Sequence, residues 1–180
     1  VKIDEAAKFL FTASNDTLIE FLSAIFSLPL DKKNLRVVPI STEYISPGPV
    51  YSSHYPDIVL EVRGLSDDYP LFHVEIQTGY DSMMDVRMVK YRYLIGESRS
   101  EIDSANIRVI SIPHQAVIYF EEHNRIPDTL QVKIVLPDGS DLLYSVPVLK
   151  LYQYPVEVLR KTDLYLLLPL VLVKYRKRFE

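Results

Sequence analysis

The chain has no cysteine, which excludes disulfides and thiolate metal sites and fits a reducing compartment. Long hydrophobic runs are missing too. The longest, residues 164–173, is interrupted by Pro169 and falls far short of the ~20 residues that a membrane span needs. The first residues are charged, and no small-residue cleavage site follows an apolar core, so no secretory signal is read there. A soluble, cytoplasmic protein without a membrane partner is the expectation. Neither sign of charge dominates. The formal net charge is -4, so no overall basic field announces nucleic acid, which leaves only a local basic strip for such a partner. Internal repeats and low-complexity segments are absent. Because the chain begins at Val1 and ends in a charged, helix-like run, it reads as a segment of something longer.

With 180 residues, 48% of them hydrophobic, the chain can bury a core, and one domain is the natural expectation. Residues 2–11 read as a short helix. Thr17 and Glu20, ahead of an apolar pattern through Phe26, read as a capping box opening a second, amphipathic helix. Residues 37–40 suit an edge strand, and the proline-rich stretch 46–56 a loop. A long helix is predicted over 81–98, with Met84, Met88, Tyr91 and Ile95 on one face and Arg87, Lys90, Arg92 and Arg99 supplying positive charge. Residues 107–112 and 116–120 are strand-like. Residues 132–136 and 142–146 flank a strong turn signal, Pro137-Asp138-Gly139-Ser140, and read as a hairpin. Residues 156–179 are helical in pattern, broken or kinked at Pro169. The sum is an α/β sandwich around a mixed sheet.

The stretch from Tyr55 to Gln77 organises the rest. Pro56 and Asp57 open an apolar run, a polar turn follows, and Phe72 to Gln77 alternates apolar and polar. A strand has a side-chain period of two, so His73, Glu75 and Gln77 share one face and Phe72, Val74 and Ile76 the other. If the two runs pair as a hairpin, Asp57 comes near Glu75. Two converging carboxylates suit a hard divalent cation, because Mg²⁺ takes oxygen ligands and keeps several waters.

Pro56-Asp57, then Glu75, then Gln77 two positions on, resemble the PD-(D/E)XK nuclease superfamily in the variant with glutamine at the usual lysine position. The resemblance extends to Lys8-Phe9-Leu10-Phe11 with Leu18-Ile19-Glu20-Phe21-Leu22 as the opening helices. Arg87 and Tyr91, one turn apart, resemble the helix that follows the motif. Leu167-Leu168-Pro169-Leu170 resembles the segment after the core in the recombination-promoting nuclease and putative transposase group. Gly96 is followed by Glu97-Ser98-Arg99, without the tyrosine that many relatives carry there. The resemblance implies a restriction-endonuclease-like core of αβββαβ type over residues 1–150, with an extra C-terminal hairpin and a helical extension over 151–180. It also implies a metal-dependent DNA endonuclease of little sequence specificity, linked to recombination or mobile elements.

In that reading Asp57 and Glu75 hold Mg²⁺ or Mn²⁺, with the carbonyl of Ile76 as a further oxygen ligand, and Arg87 contacts the substrate. The metal lowers the pKa of a bound water and offsets charge developing on the phosphate. Gln77 is neutral at every pH and only orients the water or a phosphate oxygen, so a slower or more metal-reliant enzyme is expected. Folds of this kind often cut two strands with two sites, which makes a homodimer on DNA an expectation.

Each residue carries a second reading. Asp57 suits a turn, and Glu75 with Gln77 suits the solvated face of an exposed strand. Glu20 is either a capping-box partner or a further acid, and Glu43 is a further acid or a solvated loop residue. His73 touches a phosphate or is satisfied by a nearby hydrogen bond. Arg87 clamps DNA or pairs with Asp81, Asp85 or another carboxylate, and the 174–178 cluster contacts phosphate or complements a helix end. The functional alternative is a catalytically weak or inactive nucleic-acid-binding or protein-interaction module on the same fold.

Overall fold

A computed structural model describes residues 13–42, 56–64 and 70–171. The helix expected over 2–11, Glu43, most of the proline-rich loop and the 174–178 cluster lie outside the described residues. Helix α1 (Asn15–Phe26) starts one turn earlier than the sequence suggests. Ser14 is its N-cap, accepting from the Thr17 N–H at 3.4 Å, so the expected cap, Thr17, lies inside the first turn. Glu20, freed from any capping role, is bonded by Lys32 and by the Tyr165 hydroxyl.

Strands β1 (Arg36–Ile40), β2 (Ile58–Arg63) and β3 (Leu71–Gln77) form an antiparallel series. Helix α2 (Met84–Ser98) then crosses over, and β6 (His114–Tyr119) returns parallel to β3. Between them lies a two-residue hairpin of β4 (Glu101–Ile102) and β5 (Arg108–Val109). Strands β7 (Thr129–Val135) and β8 (Asp141–Lys150) close the sheet, with β8 parallel to β6 and antiparallel to β7. The sheet order is β1-β2-β3-β6-β8-β7, so this is an α/β fold on a mixed six-stranded sheet. Pro39, which cannot donate to a ladder, sits on the edge strand. The 137–140 turn joins β7 to β8 as expected, with Gly139 at φ 84°.

Three expectations change. Helix α2 begins at Met84 rather than 81, because Asp81 folds back to accept the Met83 N–H at 2.9 Å. Of residues 107–112 only Arg108–Val109 forms a strand, and it pairs with β4 outside the six-stranded sheet. Asp103 Oδ1 takes the N–H groups of Ala105 and Ile107, both at 2.9 Å, and curls the chain into the small hairpin. The C-terminal helical pattern, expected to break or kink at Pro169, breaks earlier: a short helix α3 (Val156–Lys161) ends at Thr162, and after a single 3₁₀ turn (Tyr165–Leu167) residues 168–171, Pro169 among them, are helical again.

The sheet has a core on each face. Phe72, Val74 and Ile76 pack with Phe21 and Leu22 of α1 and with Leu159, Leu167 and Leu170 from the C-terminal part. On the opposite face, Val59, Val117 and Tyr119 pack against Met84, Met88, Tyr91 and Ile95, the α2 stripe legible in the sequence. Strand β3 is therefore covered on both sides, and of its polar residues His73 and Glu75 are buried while Gln77 at the strand end is half-buried. Among the described residues no helix is long and apolar enough to cross a membrane.

Gly96 explains how α2 meets the chain that follows it. A Cβ there would lie 2.7 Å from the Ser111 carbonyl oxygen and 2.8 Å from Ile110 Cγ2. Gly→Ala in a helix ordinarily gains up to ~1 kcal/mol, but overpacking costs ~1–3 kcal/mol, so the clash outweighs propensity. Urea denaturation should show Gly96→Ala less stable than wild type, whereas Gly79→Ala, with nothing within 4 Å of the new methyl, should match wild type.

Candidate active site

The β2–β3 register pairs Ile58 with Val74, so the next position outward sets Asp57 against Glu75. The convergence expected from the sequence is present as a reciprocal clasp. Asp57 Oδ2 accepts the backbone N–H of Ile76 at 2.9 Å, while the backbone N–H of Asp57 donates to Glu75 Oε2 at 3.2 Å. Each carboxylate holds the other's strand.

Glu75 is 1% exposed, which rules out the solvated-face reading. A carboxylate buried this deeply survives only when paired and hydrogen-bonded. Four donors meet that demand. The Asp57 N–H and His73 Nε2 (3.2 Å) lie on Oε2, and Arg87 Nη2 (2.7 Å) and Gln77 Nε2 (3.3 Å) lie on Oε1. His73, fully buried beside Glu75, is satisfied by neighbours as its second reading held, with Gln115 Nε2 donating to Nδ1 at 2.7 Å.

Arg87 bridges two acids. Its Nη1 donates to Asp81 Oδ2 at 2.7 Å, and Nη2 also reaches Tyr91 Oη at 3.2 Å. Burial works against its charge, but the bonds to Asp81 and Tyr91 and the negative charge of Glu75 outweigh that, and the guanidinium pKa rises above its ordinary value. Burial likewise pushes the Tyr91 hydroxyl up, and Tyr119, on the same face, up to about 12. Both phenols are neutral near pH 7.

The structure thus brings together Asp57, Glu75, Gln77, His73 and Arg87. Ile76 contributes its N–H to the clasp and its side chain to the other core. Glu20 lies on α1, whose core is on the opposite face of the sheet, and is held by Lys32 and Tyr165. Asp81 is one of the carboxylates the sequence offered Arg87, whereas sequence reasoning missed Tyr91 as a partner of Arg87, and Gln115 altogether. Tyr91 could have been found by its i,i+4 spacing from Arg87, and Gln115 as the one amide ahead of an otherwise apolar strand. Among the described residues, no group of three or more His, Cys, Asp or Glu side chains is arranged as a metal cage.

No protein-family model matches the chain, and comparison with the curated proteins and with the solved structures returns no match.

Removing the carboxylate leaves His73, Arg87 and the Asp57 N–H without their acceptor. Breaking a buried charge pair by deleting one partner costs about 3–5 kcal/mol, so Glu75→Ala should fall by that amount in urea denaturation at pH 7. Asp57→Asn, half-buried and still able to accept the Ile76 N–H through its amide oxygen, should lose no more than about 1.5 kcal/mol in the same measurement.

Proposed function

We propose that this protein is a metal-dependent DNA endonuclease of the PD-(D/E)XK type, with Asp57, Glu75 and Gln77 as its catalytic residues. The observation that carries the reading is the convergence of Asp57 and Glu75 across β2 and β3, with Gln77 bonded to Glu75 on the same face. The strand order supports a restriction-endonuclease-like core, since three antiparallel strands, a crossover helix and a parallel fourth strand follow the αβββαβ order. The reading includes a cytoplasmic location, a substrate contacted mainly through its phosphates, a role in recombination or mobile elements, and a homodimer where both strands are cut.

Glu75 Oε1 supports the fit of a divalent cation. The group 2.7 Å away is a guanidinium nitrogen, so the fold already sets positive charge against that oxygen. Two carboxylates with water are a sufficient protein contribution for Mg²⁺. Asp57, Glu75 and the Ile76 carbonyl would hold Mg²⁺ or Mn²⁺, which when bound supplies a more acidic water and a counter-charge to the phosphate. The chain's own residues do the rest. Asp57 and Glu75 are aligned by their reciprocal backbone bonds, so their lone pairs are fixed before any ligand arrives. Gln77, half-buried at the strand end, offers an amide to orient a water or a nonbridging oxygen. Arg87 holds Asp81 with one nitrogen and Glu75 with the other, and reaches a phosphate by exchanging one of these bonds.

The saturation of Glu75 by four donors also favours a second reading, in which its carboxylate is a structural hub and the domain binds nucleic acid or a protein partner without cutting. A nicking assay on supercoiled plasmid at low salt separates the two. Wild type should nick with Mg²⁺ or Mn²⁺ and stop with EDTA, and Asp57→Asn should lose about 100-fold or more. Folded wild type that leaves the plasmid intact with either metal, while its DNA affinity falls with rising salt, sinks the catalytic reading and leaves the binding module.

A further inference from the structure

Behind Glu75 the polar contacts continue away from the proposed metal side. His73 is 0% exposed and Gln115 is 4% exposed. His73 Nε2 lies 3.2 Å from Glu75 Oε2, and Gln115 Nε2 lies 2.7 Å from His73 Nδ1. The hydroxyl of Tyr144, on β8, in turn donates to Gln115 Oε1. Arg92 of α2 stacks its guanidinium 3.8 Å from the Tyr144 ring centroid. The chain of contacts therefore runs from a cation on α2 through β8, β6 and β3 to the Glu75 carboxylate.

Its polarity follows from the amide. The Gln115 nitrogen can only donate, so His73 Nδ1, 2.7 Å away, is its acceptor and the ring proton lies on Nε2, toward Glu75. That orientation turns Gln115 Oε1 toward Tyr144, whose hydroxyl donates. Reversing the amide would place a bare Nε2 against the Glu75 carboxylate, two lone pairs 3.2 Å apart. The parallel β6–β8 ladder ends at Val117↔Val148, and the Tyr144–Gln115 bond ties the two strands beyond that point. Both residues also line an open cavity of about 400 Å³ together with Pro113, Ser145 and Pro147.

We infer that Gln115 and Tyr144 are positioning residues for Glu75. Through His73 they lock Oε2 onto an N–H donor and so leave Oε1, where Arg87 now sits, as the oxygen that faces a cation. The assignment of Oε1 to a cation rests on the reading of Asp57 and Glu75 as a metal site, whereas the relay itself does not. Groups that orient a metal-ligating side chain typically contribute 10–100-fold in metal affinity or activity. The outer hairpin of β7 and β8 is by this account part of the site's support.

The test is the ring-nitrogen spectrum of His73 at pH 7.5 in EDTA, by long-range ¹H–¹⁵N correlation, with the His73→Gln variant used to assign it. Wild type should show a protonated Nε2 and a bare Nδ1. Tyr144→Phe keeps the ring under Arg92 but lets the Gln115 amide turn, so it should show mixed tautomers and an Mn²⁺ affinity about tenfold weaker by titration calorimetry. Gln115→Met, which removes the donor to Nδ1, should move both readouts the same way and serves if Tyr144→Phe fails to fold. An Nδ1–H or doubly protonated ring in wild type, or a spectrum unchanged in the folded variants, overturns the relay. The expected spectra without Mn²⁺ binding in wild type uphold the relay and sink the metal reading alone.

Discussion

The carboxylate of Glu75 is the group on which the arrangement of this protein turns. Strand β3 is central and covered on both faces, so a charge placed there loses its hydration and has to regain equivalent interactions from the protein. It does so by drawing donors from three places: the backbone of Asp57 ahead of β2, its own strand neighbours His73 and Gln77, and Arg87 of α2. Those same bonds fix how the hairpin ends, where the crossover helix sits and which way His73 points. A site of matched carboxylates and a requirement of stability therefore coincide in one residue.

The arginines of α2 show the same economy of contact. In the sequence they form a basic strip. In the fold, Arg87 joins Glu75 and Asp81, Arg92 covers the ring of Tyr144, and Arg99 at the helix end reaches Glu61 of β2 at 3.4 Å. Glu61, 5% exposed, is shared with Arg63 at 3.0 Å. Two buried acids of the sheet thus hold α2 near its two ends, while the apolar stripe from Met84 to Ile95 fills the space between them. Much of the helix's positive charge is directed inward, and any nucleic-acid contact by Arg87 has to compete with carboxylates already in place.

Parts of this were legible because they depend on short-range periodicity. The alternation of residues 72–77 and the polar turn before them fixed a hairpin register that sets Asp57 against Glu75. The i, i+4, i+7 spacing of Met84, Met88 and Tyr91 marked the buried side of α2. Local competition obscured other parts. Thr17 and Glu20 match a capping box, yet Ser14 is equally able to cap and stands one turn earlier. Residues 107–112 read as a strand, but Asp103 turns the chain there into a hairpin that keeps only Arg108–Val109 as strand, outside the main sheet, and leaves Ile107, Val109 and Ile112 exposed.

By itself the sequence determined the elements whose patterns are written in neighbouring residues: the hairpin, the stripe of α2, the 137–140 turn and the pairing of Asp57 with Glu75. Only the tertiary structure decided that the polar face of β3 is buried, that Arg87 and Gln115 complete the coordination of Glu75 and His73, and that Tyr144 is tied to them. The reason is physical. Alternation tells which side chains share a face of a strand, but whether that face meets water or another layer depends on α2 and β8, which arrive from elsewhere in the chain.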